Sequence, residues 1–318
     1  DRKYYVLGNK DKYYSETITV KGERDLIIND KISYGFGNEY KYDWANFETQ
    51  SYTSQSKGHV SNLGTFANTG YKFNENQILS LHARNDYHKI TDENQTYKIN
   101  FTQLLDKFRL SATHSTGLKN PGLYEFFGSS NFHTGSESVD PSKSKTNELY
   151  GEYNYSDNIS FNSTAYRTTI SNRINGSTNL NGDTNQEGLE SELNLGSRDQ
   201  NISFISHFAK SRTTSGGANS RRPDLSYGVD YSKKFNLPEY GPFNLNLNYR
   251  HIGDHIDWTG SKNSFVKSVD LVEMSIRKDL YNNMLSLNFT NLLNERYEKP
   301  GTYSQDGRQV SFGFRKEY

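Results

Sequence analysis

The segment Arg250-His251-Ile252-Gly253-Asp254-His255-Ile256-Asp257 crowds two imidazoles and two carboxylates into eight residues. Such groups bind a divalent cation when they converge on one point. The same density of charge also marks a polar loop leaving a strand tip, and that reading is preferred: no metal site is expected. Serine-based hydrolysis would need Ser, His and a third polar group on one face. His114 and Ser115 are adjacent, so on a strand they point to opposite faces. No Gly-x-Ser-x-Gly turn occurs. With no cysteine, thiol catalysis, disulfides and cysteine-held zinc are excluded. Neither enzymatic activity nor a cofactor is expected.

The remaining candidates are aromatic. Trp44, Phe132, Trp258 and Tyr303 stand in long polar stretches, with His133 beside Phe132. Rings presented by loops can stack on a ligand. They can equally form a girdle at a membrane interface, where Tyr and Trp collect.

Composition narrows what could carry these side chains. The 37 basic and 37 acidic residues cancel, so nothing points to nucleic acid. Mean hydropathy is −0.92, and apolar residues make up only 32 %. Aromatics nevertheless reach 14 %, with 24 Tyr and 18 Phe, whereas disordered chains are aromatic-poor. A surface β-protein and a transmembrane β-barrel both fit. A barrel has a polar lumen and a thin apolar band, so its average hydropathy is low. No run approaches the length of a membrane-spanning helix.

Period-2 alternation runs through the chain. Phe243, Leu245, Leu247 and Tyr249 alternate with Asn244, Asn246, Asn248 and Arg250. Val310, Phe312 and Phe314 alternate with Ser311, Gly313 and Arg315. About fifteen strand-like runs are expected, near 13–22, 30–41, 60–72, 77–88, 95–105, 107–116, 144–156, 158–170, 184–196, 200–211, 223–236, 242–252, 264–279, 282–292 and 307–318. A short run at 3–7 would add one. Connections such as Phe73–Gln77, Leu105–Lys107 and Ser156–Asn158 are short. Those at 42–59, 117–143, 171–183, 212–222, 253–263 and 293–306 are long and polar. Short turns at one end and long loops at the other favour a barrel over a sandwich. Gly122-Leu-Tyr-Glu-Phe-Phe-Gly128 reads as a structured loop base.

Several motifs together resemble the barrel of TonB-dependent outer-membrane receptors. Asn291-Leu292-Leu293-Asn294 with Tyr297 is similar to that family's Asn-Leu-Phe-Asp-x-x-Tyr, and Gly307-Arg308 to its Pro-Gly-Arg, with Asp306 replacing the proline. Gly117-Leu-Lys-Asn-Pro121 through Glu125, Asp140-Pro141-Ser142-Lys143-Ser144 with Glu148, Gly188-Leu189-Glu190 and Arg221-Arg222-Pro223 also resemble family segments. Ser142 stands where the family usually has Glu. The six cover roughly residues 60–318. The stretch around Leu81-His-Ala-Arg-Asn-Asp86, and the Arg-Arg-Pro and His251–Asp257 segments, look most like vitamin B12 (cobalamin) receptors.

The expected fold is all-β: an antiparallel transmembrane β-barrel of about 14–16 strands, a single domain over residues 1–318. It has short periplasmic turns, long extracellular loops and no plug domain. The family's barrel has about 22 strands around an N-terminal plug. An open sheet edge is costly in lipid, so the chain is expected to be the C-terminal part of a larger receptor; alternatively it closes alone. The resemblance implies an outer-membrane receptor for a scarce nutrient, cobalamin or an iron–siderophore complex, with membrane lipid, TonB and the barrel-insertion machinery as partners. Val310, Phe312, Phe314 and Tyr318 are expected to share the lipid face of a barrel-closing last strand. Trp44, Phe132, His133, Trp258 and Tyr303 are the expected ligand contacts in extracellular loops. A plugless passive channel and a glycan-binding surface β-protein are the alternatives.

Overall fold

The computed structural model describes residues 2–6, 9–49, 54–130, 133–197, 199–213, 216–259, 262–280, 283–299 and 303–316. In chain order come β1 (Arg2–Val6), β2 (Asn9–Ile27), β3 (Ile32–Thr49), β4 (Ser54–Asn74), β5 (Gln77–His88), β6 (Asp92–Leu105) and β7 (Phe108–Lys119). A five-residue helix α1 (Leu123–Phe127) and a small hairpin, β8 (Ser129–Ser130) and β9 (His133–Thr134), interrupt them. Then follow β10 (Ser142–Ser156), β11 (Ile159–Ser171), the small hairpin β12 (Ile174–Asn175) and β13 (Thr178–Asn179), β14 (Thr184–Ser197) and β15 (Gln200–Thr213). The last are β16 (Leu225–Leu237), β17 (Gly241–Ile252), the hairpin β18 (His255–Thr259) and β19 (Lys262–Val266), β20 (Val269–Leu280), β21 (Asn283–Thr290) and β22 (Gln309–Lys316). Sixteen of these hydrogen-bond in sequence order, leaving out the three small hairpins. All fifteen expected runs are strands, and the short run at 3–7 is the sixteenth, β1.

Two placements differ from expectation. Residues 42–49 and 54–59 are strand, not loop: β3 and β4 continue as a ladder from Tyr42↔Ser61 to Thr49↔Ser54. Trp44 therefore sits within β3, between Glu16 and His59 on its neighbours. The alternation shifts phase there, between Trp44 and Ala45, so the strand carries no simple two-residue signature. Residues 264–266 belong to β19, not to the following long strand, because a hairpin forms inside the loop.

The chain divides into two compact units. The first takes in Asp1–Leu104, Ser111–Glu148 and Thr168–Asn185; the second takes in Leu105–Leu110, Leu149–Arg167 and Gln186–Tyr318. In each, register sorts the side chains onto two faces. In the first unit Glu39 pairs with Gly64, Gly64 with Asp86 and Asp86 with Asn94, giving a polar face. The intervening residues Val20, Tyr40, Leu63, Tyr87 and Leu81 are exposed on the other, apolar face. In the second unit Asp230 pairs with Asn248 and Asn248 with Glu273, while Tyr231, Leu247 and Met274 share the opposite face.

Apolar burial in the first unit is concentrated where the loop after β7 folds onto the polar face of β3 and β4. Phe126 is 2 % exposed, and Ala45, Phe47, Val60 and Val139 are buried. Glu125 accepts a bond from the Gly122 amide at 3.0 Å, closing the first turn of α1. Thr49 Oγ1 donates to the Ser129 carbonyl at 2.7 Å, and Ser56 Oγ to that of Phe127. The Phe127 ring lies where a side chain at Gly58 would be: a Cβ there would come within 2.1 Å of it. Gly58→Val is expected to expel that ring and undock the loop. Proteolysis of residues 120–141 should then accelerate while exchange in β15–β17 stays unchanged; equal cleavage of both proteins would refute the docking.

Candidate functional site

The polar face of the first unit carries a charge cluster drawn from adjacent strands. His82, Arg84, Asp86 and His88 alternate along β5, so they share this face. Arg84 grips Asp86 with two nitrogens, Nε to Oδ2 and Nη2 to Oδ1, both at 2.8 Å. Nη2 also donates to Glu39 Oε1 at 3.0 Å. Asn62 Nδ2 donates to Asp86 Oδ1 at 2.7 Å, and Asp86 is only 6 % exposed. Gly64 makes room, since a Cβ there would fall 2.2 Å from the guanidinium. Phe66, Asn68, His82, Arg84, Thr96 and Lys98 line a recess of about 370 Å³. A two-ended charge cluster of this kind can hold a polar or zwitterionic group against the sheet.

In the second unit a smaller recess of about 120 Å³ lies against the Arg-Arg-Pro segment, lined by Tyr166, Gln186, His207, Arg221, Arg222 and Pro223. Gly188 lets the Tyr166 ring cross, since a Cβ would sit 2.7 Å from it. Tyr166 Oη lies 3.3 Å from His207 Nε2, which is also 3.3 Å from Glu190.

The His251–Asp257 segment does not converge on a cation. Among the described residues, no group of three or more His, Asp or Glu side chains is placed to hold a metal. His251 Nδ1 meets Asp270 at 2.8 Å, and His255 Nδ1 lies 3.2 Å from the Gly253 carbonyl. Asp257 is fully buried. It accepts from Arg221 Nε at 2.7 Å and Ser220 Oγ at 3.1 Å, and the Arg221 amide donates to the Ile256 carbonyl at 2.8 Å. Two motifs 36 residues apart thus lock the β18–β19 hairpin to the loop after β15.

A third knot closes the last loop. Asn291 adopts φ +49°. Its Nδ2 donates to the carbonyls of Glu295 and Asp306 at 2.9 and 3.2 Å, and its Oδ1 accepts the Glu295 amide at 2.9 Å. Asn294 Oδ1 accepts the Arg308 amide, and Arg308 Nε donates to the Leu292 carbonyl at 2.8 Å. A Cβ at Gly307 would lie 2.6 Å from Asn294 Oδ1, so a side chain there would press on the amide that accepts from Arg308. The Asp140–Ser142 segment works similarly: Asn179 brackets Asp140 by two bonds of 2.9 Å, and Ser142 Oγ accepts the Ile174 amide at 3.0 Å.

The aromatic candidates fall in both units, Trp44 and His133 in the first and Trp258 and Tyr303 in the second. Trp44 is on the apolar face of β3, with Tyr40 and Tyr42. His133 stacks on Tyr124 at 4.2 Å, and its Nε2 donates to the Tyr124 carbonyl at 2.8 Å. Tyr303 is 66 % exposed in the loop between β21 and β22. The backbone of Trp258 pairs with Asn263; its side chain, Phe132 and Tyr318 lie outside the described residues. Val310, Phe312 and Phe314 pair with Phe289, Leu287 and Leu285 and are exposed on one face, as alternation required. Sequence reasoning missed the Arg84 cluster and the Arg221–Asp257 pair. The first had a signal, the i, i+2 spacing of charged residues in β5; the second had none.

Residues 2–292 match the family model described as "TonB dependent receptor-like, beta-barrel". The chain belongs to this family. Solved structures of similar fold include the siderophore receptor PirA from Acinetobacter baumannii, with TM-score 0.80 at 15 % identity over 96 % of this chain and 55 % of that one. The ferric yersiniabactin uptake receptor FyuA from Yersinia pestis has TM-score 0.78 at 14 % identity, over 100 % and 56 %. The FrpB iron transporter from Neisseria meningitidis has 0.75 at 13 %, over 96 % and 55 %. At these identities the likeness is one of fold, and the chain spans a little over half the length of each. No curated protein matches the chain. In this TonB-dependent receptor barrel, three of the motifs that carried the resemblance, at Asn291–Asn294 with Arg308, at Asp140–Ser142 and at Arg221, make hydrogen bonds at the bases of long loops, whereas Gly188–Glu190 lies within β14.

Proposed function

We propose that this chain is the barrel portion of an outer-membrane receptor that imports a scarce nutrient, an iron chelate in preference to cobalamin. The observation that supports this best is the division of each unit's strands into an apolar face and a charged, hydrogen-bonded polar face, with every long loop at the same strand ends. On this reading the apolar face meets lipid, Trp44 belongs to the interfacial girdle, and the polar face lines the path of the ligand. Tyr303 and His133, with Phe132 and Trp258, belong to the outer capture surface. TonB would supply the energy in the whole receptor, and the last strand, with Tyr318, would be read by the insertion machinery. Iron is preferred because PirA, FyuA and FrpB are siderophore, ferric yersiniabactin and iron proteins by name.

Two experiments test the reading. The detergent-folded protein is expected to migrate differently on a gel before and after boiling; identical migration would favour a surface β-protein. Deleting the gene should abolish growth of the host on one ferric chelate as sole iron source. Loss of growth on limiting cobalamin, with iron use intact, would overturn the iron assignment. Non-selective conductance in a planar bilayer would point to a passive channel.

A further inference from the structure

The short-turn end of the second unit repeats one arrangement on its apolar face. Lys107 Nζ lies 5.2 Å from the centre of the Tyr155 ring, Lys233 Nζ 4.9 Å from Phe235, and Lys278 Nζ 4.4 Å from Phe243. The rings extend into an apolar surface. Phe108 stacks on Tyr153 at 4.4 Å, Phe235 pairs with Phe243, and Leu237, Leu280 and Phe314 are exposed nearby. None of the three lysines forms an ion pair among the described residues. The acidic residue next to Lys278, Asp279, pairs with Arg277 at 3.2 Å, and Asp106, Asp199 and Glu239 in the same turns do not pair with these lysines. Lys107 spends one donor on the Tyr155 carbonyl at 2.9 Å, and Lys278 one on that of Tyr240. An ammonium has three donors, so each keeps at least two.

A cation held on an aromatic ring at the end of an apolar strand face has an unmet preference for an anion. The surface leading away from it suits acyl chains. We propose that Lys107, Lys233 and Lys278 form a row of binding sites for the phosphate of anionic glycerophospholipids at the short-turn rim. The aromatic rings fix each ammonium at headgroup depth, and the lysine stems lie along the apolar face. This inference rests on the membrane reading proposed above, because only a chain in a bilayer meets lipid at this rim.

The test uses the whole protein in lipid nanodiscs containing equal phosphatidylglycerol and phosphatidylcholine. Lipids retained after release are counted by native mass spectrometry. Wild type is expected to retain phosphatidylglycerol preferentially. The preference should fall roughly fivefold for each lysine changed to Gln and survive Lys→Arg at the same positions. Lys57, Lys89 and Lys119, at the long-loop end, provide a control with the same change in net charge, expected to be without effect. Insertion of all variants with equal retention of both lipids would overturn the proposal while leaving the barrel intact. So would an equal loss in the control. Failure of wild type to enter any nanodisc would overturn the membrane reading together with the proposal.

Discussion

Arg221→Ala is expected to free the β18–β19 hairpin, with amide exchange there rising roughly 100-fold. The carboxylate of Asp257 is fully buried, while the Arg221 side chain is 61 % exposed. The cost therefore comes mainly from withdrawing the guanidinium that faces a desolvated anion. That places the loss near the lower end of the 3–5 kcal/mol range, about 3 kcal/mol, and each 1.4 kcal/mol is tenfold. Exchange in β16 and β17 should stay as in wild type, which makes the effect local. Arg221→Lys should recover part of the loss, since a point charge replaces a fork. The double variant Arg221→Ala/Asp257→Leu should recover most of it, because removing both charges also removes the desolvation cost. Unchanged exchange in Arg221→Ala would mean that the other groups around Asp257 suffice to hold it.

Asn291→Ala should open the loop between β21 and β22 by a similar amount. Asn291 is 6 % exposed, and one amide satisfies two carbonyls and one N–H across the loop base. Alanine leaves those groups without that partner, costing roughly 3 kcal/mol, and must hold a positive φ at about 1 kcal/mol more. Trypsin cleavage at the exposed Arg296 should accelerate by at least about 100-fold. Asn291→Gly should recover only the backbone share. If glycine restored wild-type resistance, the side-chain bonds would be irrelevant and the explanation would fail. If Tyr303 belongs to the capture surface proposed above, ligand binding should weaken in the alanine variant as well, because this loop carries it.

Much of the fold was legible because strand alternation and turn chemistry are local. Leu245, Leu247 and Tyr249 fall on one face whatever surrounds them, and short turns such as Asp106-Lys107 interrupt the pattern visibly. The placement of 42–59 failed for the same reason. Trp44-Ala45-Asn46-Phe47-Glu48 lacks clean alternation, and the ladder there is stabilised by a loop 80 residues away, through Thr49 and Ser129. The candidate site was less legible. The His251–Asp257 segment suggested shared chemistry, yet Asp257 turned to Arg221 and His251 to Asp270. Residues adjacent in sequence were dispersed because alternation and the hairpin send neighbours to different partners.

The sequence by itself determined the class of element, the two-faced character of the strands, the side on which long loops lie and the family. All of these follow from periodicity and from short motifs within one strand or turn. Only the tertiary structure decided that β3 and β4 extend into one long hairpin, and that the loop after β7 folds onto their polar face. It also paired Arg84 with Glu39 across 45 positions and tied Asn291, Asp140 and Arg221 into bonds at the bases of long loops. Those outcomes depend on strand register and on the room left by Gly58, Gly64 and Gly188, and neither is encoded within a single stretch of chain.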